Sequence, residues 1–305
     1  MVWGFIDGDF MCVIAKCCGG LGNQMFQYAF GRALALDLGL DLKLDISNFG
    51  SDSRPFSLGI YSLTKNIPFG CYLSTSTRLK VKMTKKLRRW GVWGMDKNMP
   101  GVLVEPFPPV LVSLDEVLSE KLSHLFVDGY WQSEKYFSRY SDVIRSDFRV
   151  IEESSAFLAW KKRMLSEPGG SISVHVRRGD YVTDSSANRV HGVLPIEYYL
   201  RAKEILNTIS DGLVFYVFTD DPVWARNNLC LGDKTIYVSG EDLKDYEELA
   251  LMSCCDHHVV ANSSFSWWGA WLGQDTSTVT IAPGRWFRKM DSSFVIPDNW
   301  IKIWT

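Results

Sequence analysis

Two kinds of hydrophobic spacing alternate along the chain and predict alternating strands and helices. Near the start, the apolar segment CVIAK (12–16) leads into a glycine turn, a helical pattern over 22–38, and LDLKLD (40–45). In LDLKLD the leucines occupy every second position, which is typical of a strand with one buried face. The chain therefore opens with a predicted β-α-β unit.

The pattern is most regular after residue 170. Strands are predicted at SISVHVR, LVFYVFTDD, KTIYVS, HHVVANS and STVTIAP, and helices at PIEYYLRAKEIL, PVWARNNL, DLKDYEELALMS and SFSWWGAWLG. Such alternation indicates a parallel, doubly wound sheet. We therefore predict an α/β fold with two domains, 11–165 and 170–305, which are separated at LSEPGG (165–170) and face each other across a cleft. Residues 1–10 are predicted to be an extension, and 48–109 an insertion or covering layer.

Composition narrows the classes of partner. Of the 305 residues, 46% are hydrophobic and 22% charged, and the formal net charge is −2. Neither nucleic acid nor an anionic membrane is therefore expected as the main partner. One local exception is the basic run that starts at Arg78 and ends at Arg89. A solvated helix face is the ordinary interpretation, and contact with a membrane surface or an acidic partner is the alternative.

The cysteines and the hydropathy pattern predict a soluble cytoplasmic protein. The seven cysteines form no C-x-x-C pair, which suits a reducing compartment better than a disulfide framework or a zinc site. No apolar run approaches the roughly 18 residues needed to cross a bilayer. The first residues also lack the features of a signal peptide.

Candidate chemistry lies at the carboxyl ends of the predicted strands, where doubly wound sheets bind ligands. In SVHVRRGDY, His175 and Arg177 share one face of the strand, and Arg178 points the other way. Gly179 then turns the chain and leaves Asp180 at the strand end. An arginine there can bind a phosphate through two parallel hydrogen bonds, although a structural ion-pair cluster is the alternative.

Two further strand ends carry polar groups. In YVFTDD, Asp220 and Asp221 could accept hydrogen bonds from a nucleoside, or cap the next helix, which is the commoner role. A metal site is weakly indicated there. Asn262, Ser263 and Ser264 open a helix whose free N–H groups could bind an anion, or Ser263 could be a plain cap. The tryptophans that follow, at spacings of three and four, are predicted to pack in the core.

The glycine turn GGLGNQ allows two interpretations. Gly20 and Gly22 follow a strand, and Asp45 ends the next strand, as in a dinucleotide-binding unit of an NAD(P)- or FAD-dependent oxidoreductase. Met25 occupies the third glycine position, however, and that interpretation leaves the arginines of the second half unexplained. A sugar-binding protein without catalysis is a third hypothesis.

Four motifs in this order, GGLGNQMFQYA, HVRRGDY, FTDD and NSSFSWWGAWL, give the chain a family resemblance. It resembles the bacterial-type α-1,2-fucosyltransferases of glycosyltransferase family 11, from Cys18 to about Pro283. The resemblance implies a two-domain GT-B architecture and GDP-L-fucose as donor. It also implies inverting transfer to the 2-hydroxyl of a terminal galactose, with no cofactor and no required metal.

The resemblance also implies roles for individual residues. Arg177 would bind the diphosphate and stabilise the charge that grows on it. Arg178 and Asp180 would form a structural or charge-orienting pair. The remaining donor-binding positions would be Arg178 in the same motif, His175 and Asp220 at the nucleoside, Asn262, Ser263 and Ser264 at the phosphates, and Gly20, Gly22 and Asn23 on the opposite side of the donor. Asn23, which points at the donor, would also be a catalytic residue together with Arg177 and Asp180.

Inversion in one step needs a group that takes the proton of the acceptor hydroxyl. Asp180, Asp184 and a dissociative reaction without a base all remain open. The acceptor is expected to be a galactose-terminated glycan, carried on a lipid during polysaccharide biosynthesis. The enzyme would then work in the cytoplasm, peripheral to the inner membrane if the basic run contacts lipid.

Overall fold

The computed structural model describes residues 12–49, 54–89, 101–119, 124–240 and 242–305. The chain divides into two compact units, 1–149 and 150–305. The predicted extension, 1–10, lies outside the described residues. None of the described helices is long and apolar enough to cross a membrane.

The first unit contains, within the described residues, a parallel sheet of five strands in the order β3-β2-β1-β5-β4. Its strands are β1 (Cys12–Lys16), β2 (Asp41–Asp45), β3 (Phe69–Gly70), β4 (Val102–Val104) and β5 (His124–Asp128). Its helices are α1 (Leu21–Leu38), α2 (Thr75–Arg89), α3 (Asp115–Ser119) and α4 (Ser141–Asp147). Short 3₁₀ turns lie at Leu58–Ile60, Ser62–Lys65, Glu134–Tyr136 and Ser138–Tyr140.

Helix α1 is the central helix of this unit. It ends at Gly39, whose positive φ of 65° lets its N–H bond back to the carbonyls of Ala35 and Leu36. Phe30 is fully buried on α1 and stacks on Trp131 with ring centroids 4.0 Å apart. The predicted β-α-β opening is confirmed, and its helix lies in the core.

The region 48–109 contributes more regular structure than the sequence pattern predicts. Strands β3 and β4 form the two edges of the sheet, and α2 packs Val81 against Val102, Val104 and Phe126. These strands are only two and three residues long, too short for an alternating pattern to be visible.

The second unit contains, over 150–240 and 242–305, a parallel sheet of six strands in the order β11-β10-β9-β6-β7-β8. Its strands are β6 (Ser171–Val176), β7 (Val214–Thr219), β8 (Thr235–Tyr237), β9 (His257–Val259), β10 (Thr280–Pro283) and β11 (Ile301–Ile303). Its helices are α5 (Ser155–Leu165), α6 (Gly179–Thr183), α7 (Ser185–Val190), α8 (Ile196–Leu206), α9 (Pro222–Asn228), α10 (Asp245–Met252) and α11 (Ser264–Gly273).

Two neighbouring interior strands of this sheet, β6 and β7, are buried along their whole length, as expected for a parallel sheet covered on both faces. The chain runs outward from β6 through β7 to β8, and then returns to the other side of β6 to form β9. The carboxyl ends of β6 and β9 therefore flank the topological switch point, where doubly wound sheets bind ligands.

The boundary between the units lies one helix earlier than the pattern predicts. Helix α5 belongs to the second unit, and the N–H of Ser154, at its start, donates to Glu247 Oε1 on α10 at 3.2 Å. The segment LSEPGG is therefore the connection from α5 to β6 within the second unit.

Candidate functional site

Arg177 follows β6 at the switch point and is held between two carboxylates. Its Nη2 lies 2.7 Å from Asp180 Oδ1, and its Nη1 lies 2.8 Å from Asp220 Oδ2. The guanidinium also lies over the ring of Tyr181, 5.4 Å from its centroid. About a fifth of the arginine side chain is exposed. The sequence motif therefore produces an oriented cation at the ligand-binding edge of the sheet.

Arg178 is directed to the other side of β6, as strand alternation predicts. Its Nε lies 3.2 Å from Asp221 Oδ2, and its guanidinium stacks 3.8 Å from the ring centroid of Trp224. The pairing therefore differs from the one that the resemblance implies: Arg178 pairs with Asp221, and Asp180 pairs with Arg177. The reason is that consecutive residues of a strand point to opposite faces. Arg178 therefore points away from Arg177 and from its partner, Asp180.

Asp220 joins the two strand ends. It accepts the backbone N–H of Arg178 on Oδ1 at 2.8 Å and the Arg177 guanidinium on Oδ2. Gly179 leaves the space that this carboxylate occupies, because a Cβ at Gly179 would lie 2.5 Å from Asp220 Oδ2. The glycine in HVRRGDY thus begins α6 and, because it has no side chain, also lets Asp220 lie close to the backbone.

Asp221 caps a helix and does not face the ligand-binding edge as a free carboxylate. Its Oδ1 accepts the N–H of Trp224 at 3.1 Å and caps α9. The helix-capping interpretation of Asp221 is confirmed.

Two buried polar residues, His175 and Asn262, lie near Arg177. His175 is 4% exposed, its Nδ1 has no hydrogen-bond partner, and burial together with Arg177 lowers its pKa to about 3. The imidazole is therefore neutral. Asn262 lies three residues after β9, and its backbone carbonyl accepts a hydrogen bond from the Tyr181 hydroxyl at 3.0 Å. Its side-chain Oδ1 is buried without a hydrogen-bond partner.

The start of α11 provides the second anion-binding feature. Ser263 is the N-cap residue in extended conformation, but its hydroxyl makes no capping hydrogen bond. The first N–H groups of a helix have no intrahelical partners and attract anions. The hydroxyls of Ser263 and Ser264 therefore stand beside a helix start next to the switch point. The tryptophans of α11 pack as predicted, since Trp267 and Trp268 are fully buried.

Glu248 is a group at the same edge that no sequence motif indicates. It lies on α10 and accepts the Ser239 hydroxyl at 2.8 Å, and Ser239 Oγ accepts the N–H of Thr219, the last residue of β7, at 2.8 Å. Burial raises the pKa of Glu248 to about 7, against the hydrogen bond from Ser239, which lowers it. A carboxyl that titrates near neutrality at a ligand-binding edge is typical of functional sites.

The glycine turn lies in the first unit, at the start of α1. Gly20 precedes α1 in extended conformation, and Gly22 is buried in the first turn of the helix. Asn23 Oδ1 accepts Gln132 Nε2 at 2.9 Å. The glycine that requires a left-handed backbone is Gly19, with φ of 76°, which sequence reasoning did not select.

A segment from the poorly patterned region closes on this turn. Gln24 donates to the carbonyls of Gly19 and Pro55 at 2.8 and 3.0 Å and accepts the N–H of Ser57 at 2.8 Å. A Cβ at Gly20 would lie 2.6 Å from Arg54 Nη1. The arginine Arg54 is therefore a cation beside the glycine turn that no motif indicated.

Asp45 does not fit the dinucleotide interpretation. It is fully buried, and its Oδ2 accepts the N–H groups of Tyr72 and Leu73 at 2.7 and 2.9 Å. Its Oδ1 accepts the Ser47 hydroxyl at 2.6 Å. The carboxylate holds the chain after β2 in place and is not directed at a ribose.

Comparison with known proteins identifies the family. The family model described as "Glycosyl transferase family 11" matches residues 119–305, more than half of the chain and all of the switch-point site. The chain belongs to glycosyl transferase family 11. This assignment confirms the resemblance drawn from the motifs and removes the support for an oxidoreductase.

Curated relatives extend the similarity over nearly the whole chain. An "Alpha-1,2-colitosyltransferase" of Escherichia coli is 32% identical over 314 residues, covering 95% of this chain and 98% of that protein. The "O-antigen biosynthesis glycosyltransferase WbnK" of Escherichia coli is 29% identical and covers 93% of this chain and 98% of that protein. A "Galactoside alpha-(1,2)-fucosyltransferase 1" of Saimiri boliviensis boliviensis is 30% identical over 50% of this chain and 44% of that protein.

Solved structures agree with the family at the level of the fold. NodZ α-1,6-fucosyltransferase soaked with GDP-fucose matches with a TM-score of 0.51 at 16% identity, covering 86% of this chain and 92% of that chain. The selenomethionine form of NodZ, from Bradyrhizobium, also gives a TM-score of 0.51, at 15% identity, and covers 85% of this chain and 91% of that chain. The family member described here thus shares the α/β fold, with its two parallel sheets, with a fucosyltransferase.

Proposed function

We propose that this family 11 glycosyltransferase transfers L-fucose from GDP-L-fucose to the 2-hydroxyl of a terminal galactose, with inversion. The observation that carries the proposal is Arg177 at the switch point, oriented by Asp180 and Asp220 beside the start of α11. A guanidinium and a helix N-terminus suit a diphosphate. The α-1,2 linkage agrees with the names of an Escherichia coli and a Saimiri relative.

In this proposal the second unit binds the donor and the first unit binds the acceptor, as the GT-B arrangement implied by the resemblance would have it. As the bond from the sugar to the diphosphate breaks, negative charge grows on the leaving group. Arg177 stabilises that charge in the transition state, which is the task that a metal ion performs in other glycosyltransferases. We therefore propose that transfer needs no metal.

A second donor is favoured by one specific observation. The 32% identical relative is a colitosyltransferase, and colitose is the 3-deoxy form of L-fucose. GDP-colitose is therefore the competing donor. The name of the WbnK relative supports a role in O-antigen biosynthesis. We propose that the acceptor is a galactose-terminated unit of such a polysaccharide, built in the cytoplasm on a lipid carrier.

The test is an assay of the purified protein with GDP-L-fucose and GDP-colitose against a panel of galactose-terminated oligosaccharides, with NMR of the product linkage. An α-1,2-fucosyl product supports the proposal. A colitosyl product only would replace the donor, and GDP binding without transfer would favour the non-catalytic sugar-binding hypothesis.

The Arg177→Ala variant tests the central residue. We expect transfer to fall by about 10²-fold or more, since the main counter-charge of the leaving group is lost. Arg163→Ala is the matched control, because Arg163 lies exposed on α5 over the ring of Trp160. Near-wild-type turnover of Arg177→Ala, with an unchanged melting temperature, would remove the basis of the proposal.

A further inference from the structure

His191 is a half-buried imidazole beside the Arg177–Asp180 pair, and no motif of the sequence indicates it. Its ring stacks on Tyr181 with centroids 4.7 Å apart and planes within 4° of parallel. The Arg177 guanidinium lies over the same tyrosine ring, 5.4 Å from its centroid. Phe287 contacts the imidazole from another side, with centroids 5.4 Å apart. The imidazole therefore belongs to the layer of side chains around Arg177.

The backbone at His191 is fixed by the end of β9. Asn262, which is 2% exposed, donates from Nδ2 to the carbonyls of His191 and Gly192 at 2.9 and 3.2 Å. The carbonyl of Asn262 in turn accepts the hydroxyl of Tyr181, the residue on which the imidazole stacks. One asparagine therefore positions both the histidine and the tyrosine. Such preorganisation is expected of a residue that acts on substrate.

The charge state of His191 suits a base. Burial lowers its pKa, Arg177 lowers it further, and Asp180 opposes them. Arg288 adds positive charge nearby, since its Nε lies 2.8 Å from the position of a Cβ on Gly192. The imidazole is therefore neutral at pH 7. Its Nδ1 is buried without a hydrogen-bond partner, so an acceptor hydroxyl would meet the ring at Nε2. A neutral imidazole has a lone pair that can take a proton.

The two carboxylates considered from the sequence are both engaged with other groups. Asp180 is engaged with the guanidinium of Arg177 at 2.7 Å. Asp184 caps α7 by accepting the N–H and the hydroxyl of Ser186 at 2.7 and 2.6 Å, and these hydrogen bonds lower its pKa. The hydrogen-bonded carboxylate of Asp184 therefore has little affinity for a proton.

We propose that His191 is the general base that takes the proton from the acceptor hydroxyl. This inference rests on the proposed function. The hydroxyl oxygen bonds to the anomeric carbon while the bond from that carbon to the diphosphate oxygen breaks. The electron pair of the broken bond stays on the diphosphate beside Arg177, and the proton passes to the imidazole, which releases it to water. Asp180 stabilises the imidazolium that forms.

The experiment compares His191→Phe, which keeps a ring to stack on Tyr181, with His191→Gln. The control is His257→Gln, because His257 is also half-buried with a lowered pKa but lies at the amino end of β9, where it accepts the N–H of Val279. We expect both His191 variants to lose 10²- to 10⁴-fold in kcat. GDP affinity and melting temperature are expected to stay at wild-type values, as are all the properties of the control.

The pH profile separates a base from a positioning role. Wild-type kcat is expected to fall on the acid side with an apparent pKa below 6.5, and this limb is expected to disappear from the residual activity of His191→Phe. A wild-type profile without such a limb would overturn the inference even if the variants did not fold. If the kcat of His191→Phe were within tenfold of the wild-type value, only the proposed role of His191 as general base would be overturned. Absence of transfer by the wild-type protein would overturn the proposed function as well.

Discussion

Replacing Glu248 by glutamine is expected to stabilise the protein, and increasingly so as the pH rises. The carboxyl lies on α10 with the Ser239 hydroxyl 2.8 Å from its Oε2, and burial raises its pKa from 4.5 to about 7. Burial penalises the charged form of the carboxyl. Between pH 4.5 and about pH 7, the native protein therefore keeps a proton on Glu248 that the unfolded chain has already released. A glutamine can keep the hydrogen bond to Ser239 and never becomes charged.

The magnitude follows from the size of the shift. Each pKa unit corresponds to about 1.4 kcal/mol, so the rise from 4.5 to about 7 corresponds to about 3 kcal/mol. Because the pKa of this acid is raised in the native state, ionisation of Glu248 lowers the free energy of unfolding as the pH rises. The loss is small below pH 4.5 and complete above about pH 7. We therefore expect Glu248→Gln to be more stable by about 1 kcal/mol at pH 5 and by about 3 kcal/mol at pH 8.

The assay is thermal unfolding of the full chain at pH 5 and pH 8, followed by calorimetry. For a unit of this size the pH 8 difference corresponds to roughly 6–12 °C in the melting temperature of the second unit. Glu204→Gln is the matched control, because Glu204 lies exposed on α8, and it is expected to change little at either pH. A gain that is equal at both pH values, or that shrinks toward pH 8, would refute the reasoning. A natural carboxylate that lowers stability at this edge is a mark of function.

Three further outcomes can be measured on the same protein. Transfer is expected to proceed fully in EDTA, and a strict manganese requirement would contradict the metal-free proposal. Gly179→Ala is expected to weaken GDP binding about tenfold or more in calorimetric titration, since the new methyl group displaces Asp220 and breaks its ion pair with Arg177; unchanged affinity would show that this pair is dispensable. If the basic run contacts lipid, the protein sediments with anionic vesicles, and reversing the charge of Arg78, Lys82 and Lys86, exposed residues four apart on α2, abolishes that sedimentation and leaves folding intact. Unchanged sedimentation would end the membrane hypothesis.

Lys85 is left out of that triple variant for a structural reason. Its Nζ lies 2.9 Å from Asp128 Oδ2, and Lys16 contacts the same oxygen at 3.2 Å. The basic run therefore has an acidic partner that is 43 residues distant in sequence, and that the sequence pattern did not reveal.

The helices and strands that could be predicted are those in which the spacing of hydrophobic residues repeats within one continuous segment. Strand β2 alternates over five residues, and α11 repeats its tryptophans at helical spacing. Strand β11, with three residues at Ile301–Ile303, carries no such period and was missed. The boundary between the units was misplaced because Leu165–Gly170 looks like a linker, whereas the packing of α5 on α10 depends on residues about 90 positions apart.

The same distinction applies to the site. Arg177 and Ser263 could be predicted because parallel strand ends and helix starts define where ligands bind. His191 and Glu248 could not, because each obtains its properties from elements distant in sequence. Asn262 holds the first from 71 positions away, and the low-dielectric surroundings of α10 raise the pKa of the second.

The double contact of Arg177 has a consequence for the kinetics of donor binding. The strand-end cluster contains two guanidiniums, Arg177 and Arg178, and three carboxylates, Asp180, Asp220 and Asp221, so its own formal charge is −1. Taken by itself, it exerts no long-range attraction on an approaching anion. A diphosphate that binds Arg177 competes there with the Asp180 carboxylate, while Asp220 keeps the guanidinium in place. We therefore expect an association rate that varies little with ionic strength. Selectivity at this edge would then come from an exchange of partners at short range, and a weakly binding anion such as chloride would not displace them.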